Sequence, residues 1–366
     1  MSDAVVLLGC GDVGPIHEPM GPYSELVRDM LAGADIRFAQ VERVYSERGA
    51  LHPGSGGHHS RLPPAMASVF TDCGFNVASV ASNHAMDWGP EALLDTIELL
   101  RGMGIETAGA GRNLAEARKP AIIECKGLRI ALLAYCSVLH EFYAAEPDKP
   151  GVAPLRAQVR YEPVDYQPGV PPRVVTTPDE EDLAGLLADL RAAKGAADHV
   201  VLSLHWGVHF VPRVIADYQK TVATAAFAAG ADLILGHHAH VPKAIEVRDG
   251  KTCFYSLSNF IMSSLAKNAE SAAEFCRNYG VSLDPDYPHL PYGTDAKRSL
   301  IAKAVLAAGT PIRTAFLPVM IDRQLRPEIL KAGDPRFADM LRYMEWASED
   351  FAHRFAIDGD EIAISG

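Results

Sequence analysis

Apolar and polar positions along this chain fall into two kinds of segment. Short apolar runs, Val5 to Leu8, Ile36 to Val41, Asn76 to Ala81, His199 to Leu204 and Ala231 to Leu235, have the length of buried strands. Between them, Pro22 to Leu31, Pro64 to Cys73, Pro90 to Met103, Glu180 to Ala193 and Ile215 to Ala229 read as helices. In the third of these, Pro90 suits a first helical turn, and Leu93, Ile97 and Leu100 share one face, which marks them as core. The alternation predicts βαβ units and a substantially parallel sheet. Two hairpins are expected, Ile122 to Glu124 with Leu128 to Ala134 about Lys126-Gly127, and Ala244 to Val247 with Cys253 to Leu257 about Asp249-Gly250. They imply a mixed sheet or two packed sheets. Strands Leu300 to Leu306 and Ile312 to Ile321, then a helix near Phe337 to Phe355, complete the pattern.

Two segments lack a period. Pro147 to Pro172 is rich in proline, reads as a loop, and is long enough to act as a lid. Ala266 to Lys297 is either a solvated insertion or a source of substrate contacts through Asp284, Tyr287, His289 and Tyr292. Gly109-Ala110-Gly111 lacks the third glycine of a dinucleotide loop, and Asn113 with Glu116 reads as a helix-capping pair instead.

Chemistry concentrates where the predicted strands end. Val5 to Leu8 runs into Asp12, Ile36 to Val41 into Glu42, Asn76 to Ala81 into Asn83-His84, His199 to Leu204 into His205, and Ala231 to Leu235 into Gly236-His237-His238-Ala239-His240. In α/β proteins the carboxyl ends of parallel strands line one crevice, so residues distant in sequence meet there. His238 and His240 are two apart, so in extended backbone they point to the same side. Carboxylates, an amide and several imidazoles form a mixed O/N set that suits Mn, Fe or Zn better than Ca or Mg. No Cys-x-x-Cys supports a structural zinc knuckle. His58 and His59, in a glycine-rich loop after Glu42, add further imidazoles.

At 366 residues the chain suits one large α/β domain with insertions. Its net charge of -12 argues against nucleic acid or an anionic membrane as partner, since both need a basic face. A small anionic substrate is still compatible, because bound dications would dominate the local field. The six cysteines are scattered singly, as expected in a reducing compartment. No basic leader, membrane-length apolar run or lipidation motif is visible, so the expected location is cytoplasmic.

Seven ordered motifs carry a family resemblance. They are Gly11-Asp12; Phe38-Ala39-Gln40-Val41-Glu42; Ala81-Ser82-Asn83-His84-Ala85-Met86-Asp87-Trp88-Gly89; Gly109-Ala110-Gly111-Arg112-Asn113-Leu114; Ser203-Leu204-His205-Trp206-Gly207; Gly236 to Val241; and Phe254 to Phe260. Together they resemble the CapA family of poly-γ-glutamate capsule biosynthesis proteins, a divergent branch of calcineurin-like metallophosphoesterases, over residues 4 to 321. The resemblance implies an α/β fold, a mixed β-sandwich flanked by helices in four α/β/β/α layers. It also implies one such domain over residues 1–325, with insertions at 140–175 and 265–297, and a helical extension over 326–366 packed on it.

By the same resemblance Glu42 bridges two divalent ions, Asn83, His205 and His238 ligate one, and Asp12 and His240 ligate the other. His84 looks like the catalytic histidine at the substrate oxyanion or leaving group, and Asp87 orients it. Arg43, Arg61 and Arg112 are candidates for a phosphate or carboxylate clamp. Two departures stand out. Gly14 occupies the position of the histidine that true metallophosphoesterases supply in an Asp-x-His motif, for which His17 is a possible substitute, and His209 stands where the family often carries glutamate two residues after Trp-Gly, as a contact to substrate or a metal ligand. The implied activity is hydrolysis of a small molecule by a metal-bound hydroxide, with a phosphoester as default bond and an amide or acyl bond as rival. The alternative class is a non-catalytic accessory protein of polyglutamate or capsule synthesis with a vestigial site.

Overall fold

The computed structural model describes residues 4–55, 60–166 and 169–366. The elements that position the site, numbered in chain order, are strands β1 (Val5–Gly14), β2 (Ile36–Val41), β3 (Val77–Ser79), β4 (Leu128–Cys136), β5 (His199–His205), β6 (Leu233–His237), β7 (Asn259–Met262), β8 (Arg298–Leu306) and β9 (Arg313–Ile321). The helices are α1 (Gly89–Gly102), α2 (Glu180–Ala196), α3 (Asp217–Ala229) and α4 (Pro335–Ser348). The fold is mixed α/β. Among the described residues a ten-stranded sheet holds β1, β2 and β3 in parallel, with β8 and β9 added antiparallel beyond β1. A six-stranded sheet holds β4, β5 and β6 in parallel between antiparallel edges.

Strand parity explains how the second sheet is covered. Ile130, Leu132, Ala134, Val201, Leu233 and Leu235 join one core with Leu7 and Phe38 of the first sheet, while Ala131, Leu133, Leu202, Leu204 and Ile234 join a second core with Leu186, Leu190 and Val222 of α2 and α3. Each strand of β4, β5 and β6 is therefore apolar on both faces, as strands between two layers must be. His205 and His237 have the parity of Val201, Leu233 and Leu235, so both face the first sheet.

Local sequence accounts for the helices and hairpins that the period predicted. Helix α1 opens on Gly89-Pro90-Glu91 and buries Leu93, Ile97 and Leu100. Helix α2 is capped by Asp179, whose side chain accepts from the Glu181 and Asp182 amides at 3.1 Å. Lys126-Gly127 and Asp249-Gly250 all take positive φ, as tight hairpin turns require, and Asn113 accepts from the Glu116 amide.

Tertiary context overrode the sequence in five places. Pro22 to Leu31 and Pro64 to Cys73 contain only short helical turns, Arg28–Ala32 and Ser68–Asp72 among them. The proline-rich segment is partly a two-stranded antiparallel ribbon, Ala157–Glu162 with Arg173–Pro178, because its prolines lie outside the paired run or at its end. Within the stretch read as irregular, Ala269–Tyr279 is a helix capped by Asn268 and ended by Gly280 at φ +66°. The extension expected to be helical contributes α4, but then returns as a hairpin, Arg354–Asp358 with Glu361–Ser365, that pairs with β9 and widens the first sheet. Among the described residues no helix is long and apolar enough to cross a membrane.

Candidate metal centre

The centre of the site is a break in β1. The register of β1 with β2 shifts between Gly9 and Asp12, and its register with β7 shifts between Asp12 and Val13. Bulges of this kind re-aim a side chain at the end of a strand. The break also presses backbone on backbone: a Cβ at Gly11 would lie 2.0 Å from the Ser258 carbonyl oxygen, so only glycine fits. Asp12 then faces the C-terminal ends of β2, β5 and β6. Asp12, Glu42 and His205 are fully buried, and one ligand atom from each lies within 4.8 Å of the others.

The surrounding imidazoles complete the cluster. His205 Nε2 is 3.6 Å from Glu42 Oε2, His237 Nδ1 is 3.5 Å from Asp12 Oδ1, and His240 is 3.5 Å from Asp12 Oδ2 and 3.7 Å from Glu42 Oε1. These separations exceed a good N–H···O bond of about 2.9 Å. They resemble the spacing of two donors each about 2.1 Å from a shared ion at a tetrahedral angle, which is roughly 3.4 Å. Asn83 Oδ1 lies 2.7 Å from His205 Nε2, and the His238 amide donates to Asp12 Oδ2 at 3.3 Å.

A divalent cation fits this donor set on one observation. Asp12 Oδ1, Glu42 Oε1, His205 Nδ1, both ring nitrogens of His237 and His238 Nδ1 are buried without a hydrogen-bond partner. Buried polar atoms are costly to leave unpaired, and here acceptors and imidazoles converge on one another. Burial, reinforced by neighbouring imidazoles, drives His205 and His238 well below the usual histidine range and so keeps them in the neutral form that binds metal. Burial and then the charge of Asp12 push the Glu42 carboxyl well up, a repulsion that a shared dication would reverse.

Second contacts fix orientation. Asn259 Oδ1 lies 2.7 Å from His240 Nδ1, which leaves His240 Nε2 facing Glu42. Asp87 Oδ2 lies 2.7 Å from His84 Nδ1, and Tyr143 donates to the other Asp87 oxygen at 2.8 Å. Burial raises the Asp87 carboxyl, but the His84, Ser60 and Tyr143 contacts outweigh it and hold the group below its usual range. His84 opens, with Asn83, His240 and His209, onto a cleft of about 440 Å³ that Arg43, His140, Lys267 and Tyr292 also line.

The structure thus gathers Asp12, Glu42, Asn83, His84, Asp87, His205, His209, His238 and His240 at one place, and it corrects several expectations. His238 and His240 do not extend β6; they take φ of +86° and +56° in a turn, so strand parity does not govern them. Their rings are 6.4 Å apart and reach the site through that turn. Arg112 does not line the cleft: Glu98 at 2.7 Å and Glu116 at 3.6 Å neutralise it on the surface. Nor does Arg61, whose guanidinium stacks 3.8 Å over Trp88 and donates to the Arg48 and Gly49 carbonyls. Arg43 is the arginine at the cleft, buried and donating to the Gly14 and Ser263 carbonyls. His17 pairs with His289 at 3.2 Å. His58 and His59 lie outside the described residues.

Sequence reasoning missed Asn259, His140 and Lys267 and gave His237 no role of its own. Asn259 stood in a quoted motif, and Tyr292 was singled out, with its ring now 4.4 Å from that of His240. Nothing in a run of adjacent histidines says which of them faces the other sheet.

Residues 15–264 match the family described as bacterial capsule synthesis protein PGA_cap. The chain is 32% identical over 270 residues to the PGA biosynthesis protein CapA of Bacillus subtilis (strain 168), covering 70% of this chain and 63% of that protein. It is 29% identical over 211 residues to the "Probable polyglutamine synthesis accessory protein" of Mycobacterium tuberculosis (strain CDC 1551 / Oshkosh), covering 55% of this chain and 49% of that one. The chain therefore spans less than two thirds of the length of these relatives. A solved structure of a hypothetical protein from Thermus thermophilus aligns with a TM-score of 0.43 at 13% identity, covering 86% of this chain and 99% of that chain.

Proposed function

This chain belongs to the bacterial capsule synthesis protein family PGA_cap, and from that premise we propose that it is a metal-dependent hydrolase of a small anionic substrate, with a phosphoester as the default bond. The supporting observation is the group of buried, unpartnered carboxylate and imidazole atoms at the strand ends. The two facing sheets with helices outside them support reading residues 1–325 as one four-layer α/β/β/α unit carrying the site. Glu42 would bridge two ions of the Mn, Fe or Zn class, with Asn83, His205 and His238 on one and Asp12 and His240 on the other. Such ions, when bound, supply Lewis acidity and make a coordinated water acidic enough to ionise near neutral pH.

The chain's own residues do the rest. Asp87 fixes the His84 ring through Nδ1 and leaves Nε2 towards the cleft, where it can hand a proton to the departing oxygen. Arg43 and Lys267 give the cleft wall a basic character that suits an anion. His209, with its ring 3.7 Å from that of His238, lines the cleft beside the metal-ligand set. An amide or acyl bond remains the rival target, because the same constellation polarises a carbonyl. Similarity to the Mycobacterium tuberculosis protein described as a probable polyglutamine synthesis accessory protein favours a second reading, that of an accessory protein in polymer synthesis.

Elemental analysis of the purified protein, with Mn-supplemented turnover of p-nitrophenyl phosphate, bis(p-nitrophenyl) phosphate and a panel of γ-glutamyl amides, tests these readings. Two metals per chain with phosphoester turnover supports the first, and amide turnover moves the target bond. Metal without any turnover favours the accessory reading, and turnover that survives metal removal ends the metal-dependent one.

A further inference from the structure

We infer that His237 is a metal ligand of this centre and supplies from β6 the imidazole that Gly14 leaves missing on β1. The inference rests on reading the strand ends as a metal centre, and it adds a residue that neither sequence spacing nor the family resemblance assigned. His237 is fully buried and both of its ring nitrogens lack a hydrogen-bond partner. A neutral imidazole always offers one donor and one acceptor, so a structural histidine in a dry interior ordinarily pairs at least one of them. This one pairs neither. Its Nδ1 instead points at Asp12 Oδ1, 3.5 Å away, and that oxygen is unpartnered too.

Strand register makes the arrangement a pair. His205 and His237 are directly opposite each other in the parallel ladder of β5 and β6, on the face that meets the first sheet. His205 faces Glu42 at 3.6 Å and His237 faces Asp12 at 3.5 Å, so each sheet contributes two groups to a four-cornered arrangement. Neighbouring strands lie about 4.8 Å apart, which is enough room for each imidazole to serve its own ion rather than share one. On β1 the residue two after Asp12 is Gly14, whose space is taken by Arg43: a Cβ there would sit 3.0 Å from the Arg43 side chain. A histidine at that position would have to displace the Arg43 side chain, and the buried, unpaired imidazole across the sheets lies beside Asp12 instead.

The test is metal stoichiometry and affinity, independent of any substrate. Wild type, His237→Asn, His237→Gln and His205→Ala would be stripped with chelator, titrated with Co(II) and Mn(II), and followed by equilibrium dialysis, visible Co(II) absorption and far-UV circular dichroism. The expected result is two ions for wild type and, for folded His237→Asn, at least about 100-fold weaker binding at one of the two sites with the other retained. Two ions bound with wild-type affinity by folded His237→Asn or His237→Gln would overturn the inference while leaving the metal centre intact. No ion bound by wild type would overturn both. If neither variant folds, the anomalous-scattering map of wild-type crystals grown with Mn(II) decides: an ion within about 2.3 Å of a His237 nitrogen supports the assignment, and ions only at greater distance overturn it.

Discussion

The histidine-lined cleft and a groove beside Arg118 invite comparison, because the larger of the two is the one with no evident chemistry. The groove, about 720 Å³, lies between residues 113–122 and the second half of α2, whereas the cleft is about 440 Å³. In the groove Arg118 donates to both oxygens of Asp189 at 2.6 and 2.8 Å and to the Gly185 carbonyl, and Tyr135 donates to Asp189 as well. The charges of Arg118 and Asp189 answer each other within the protein. Beneath the cleft, by contrast, carboxylates and imidazoles are crowded and buried, and several of their polar atoms have no hydrogen-bond partner. Volume records where the surface is concave, while unmet polar atoms record where something else is needed to complete the structure.

The difference can be broken or sharpened by experiment. The largest expected effect is on metal response: Mn(II) at a thousandfold excess over Kd should stabilise wild type by about 4 kcal/mol, and His205→Ala should abolish that gain along with any hydrolysis. Thermal unfolding with and without metal measures it, and a full response in His205→Ala would break the comparison. Acid comes next. His205, His238 and His240 are held below their usual range by burial, so below pH 6.5 the unfolded chain takes up protons that the native state refuses. Stability of the metal-free protein should then fall with pH, by up to about 1.4 kcal/mol per pH unit for each histidine. Urea unfolding between pH 7.5 and 5.5 checks it, and a flat profile would mean these rings are protonated in the native state.

A smaller effect belongs to Lys243, which holds the loop after His209 by donating to the Val211 and Val214 carbonyls at 2.7 and 2.8 Å. Burial pushes its ammonium down to about 7. Between that value and the unfolded value near 10.4, the unfolded chain carries the proton and the native state does not, so stability should rise with pH by roughly 3 kcal/mol from pH 7 to 9.5. Lys243→Met should flatten that rise in denaturant titrations, and an unchanged slope would count against it. The smallest is the control: Arg118→Ala should cost about 1 kcal/mol, as a partly exposed ion pair does, and leave metal content untouched. Loss of metal on that substitution would overturn the division between the two regions.

Much of this was legible in order. Long helices with a single apolar face, such as α1, and turns that need positive φ, such as Lys126-Gly127, are encoded within a few residues of themselves. The strand-end motifs pointed to Asp12, Glu42, Asn83, His205 and the histidines after β6 because an apolar run that stops at a polar group leaves a local signature. Arg61 and Arg112 were misread because a guanidinium next to a motif is indistinguishable in sequence from one committed to Trp88 or Glu98. The helix Ala269–Tyr279 was missed although Asn268 and Gly280 mark its two ends; it buries only Phe275 and lies within a stretch otherwise without regular structure.

The sequence by itself determined the alternation of strands and helices, the family pattern and the residue types of a mixed oxygen and nitrogen site. Only the tertiary structure decided that β1 breaks at Asp12, that Arg43 rather than Arg61 or Arg112 reaches the cleft, and that His237 stands opposite His205 facing Asp12. The physical reason is the range of the forces involved. Periodicity and turn chemistry act between neighbours in the chain, whereas the partner of a buried charge is set by which strands lie side by side and which sheet lies across from them.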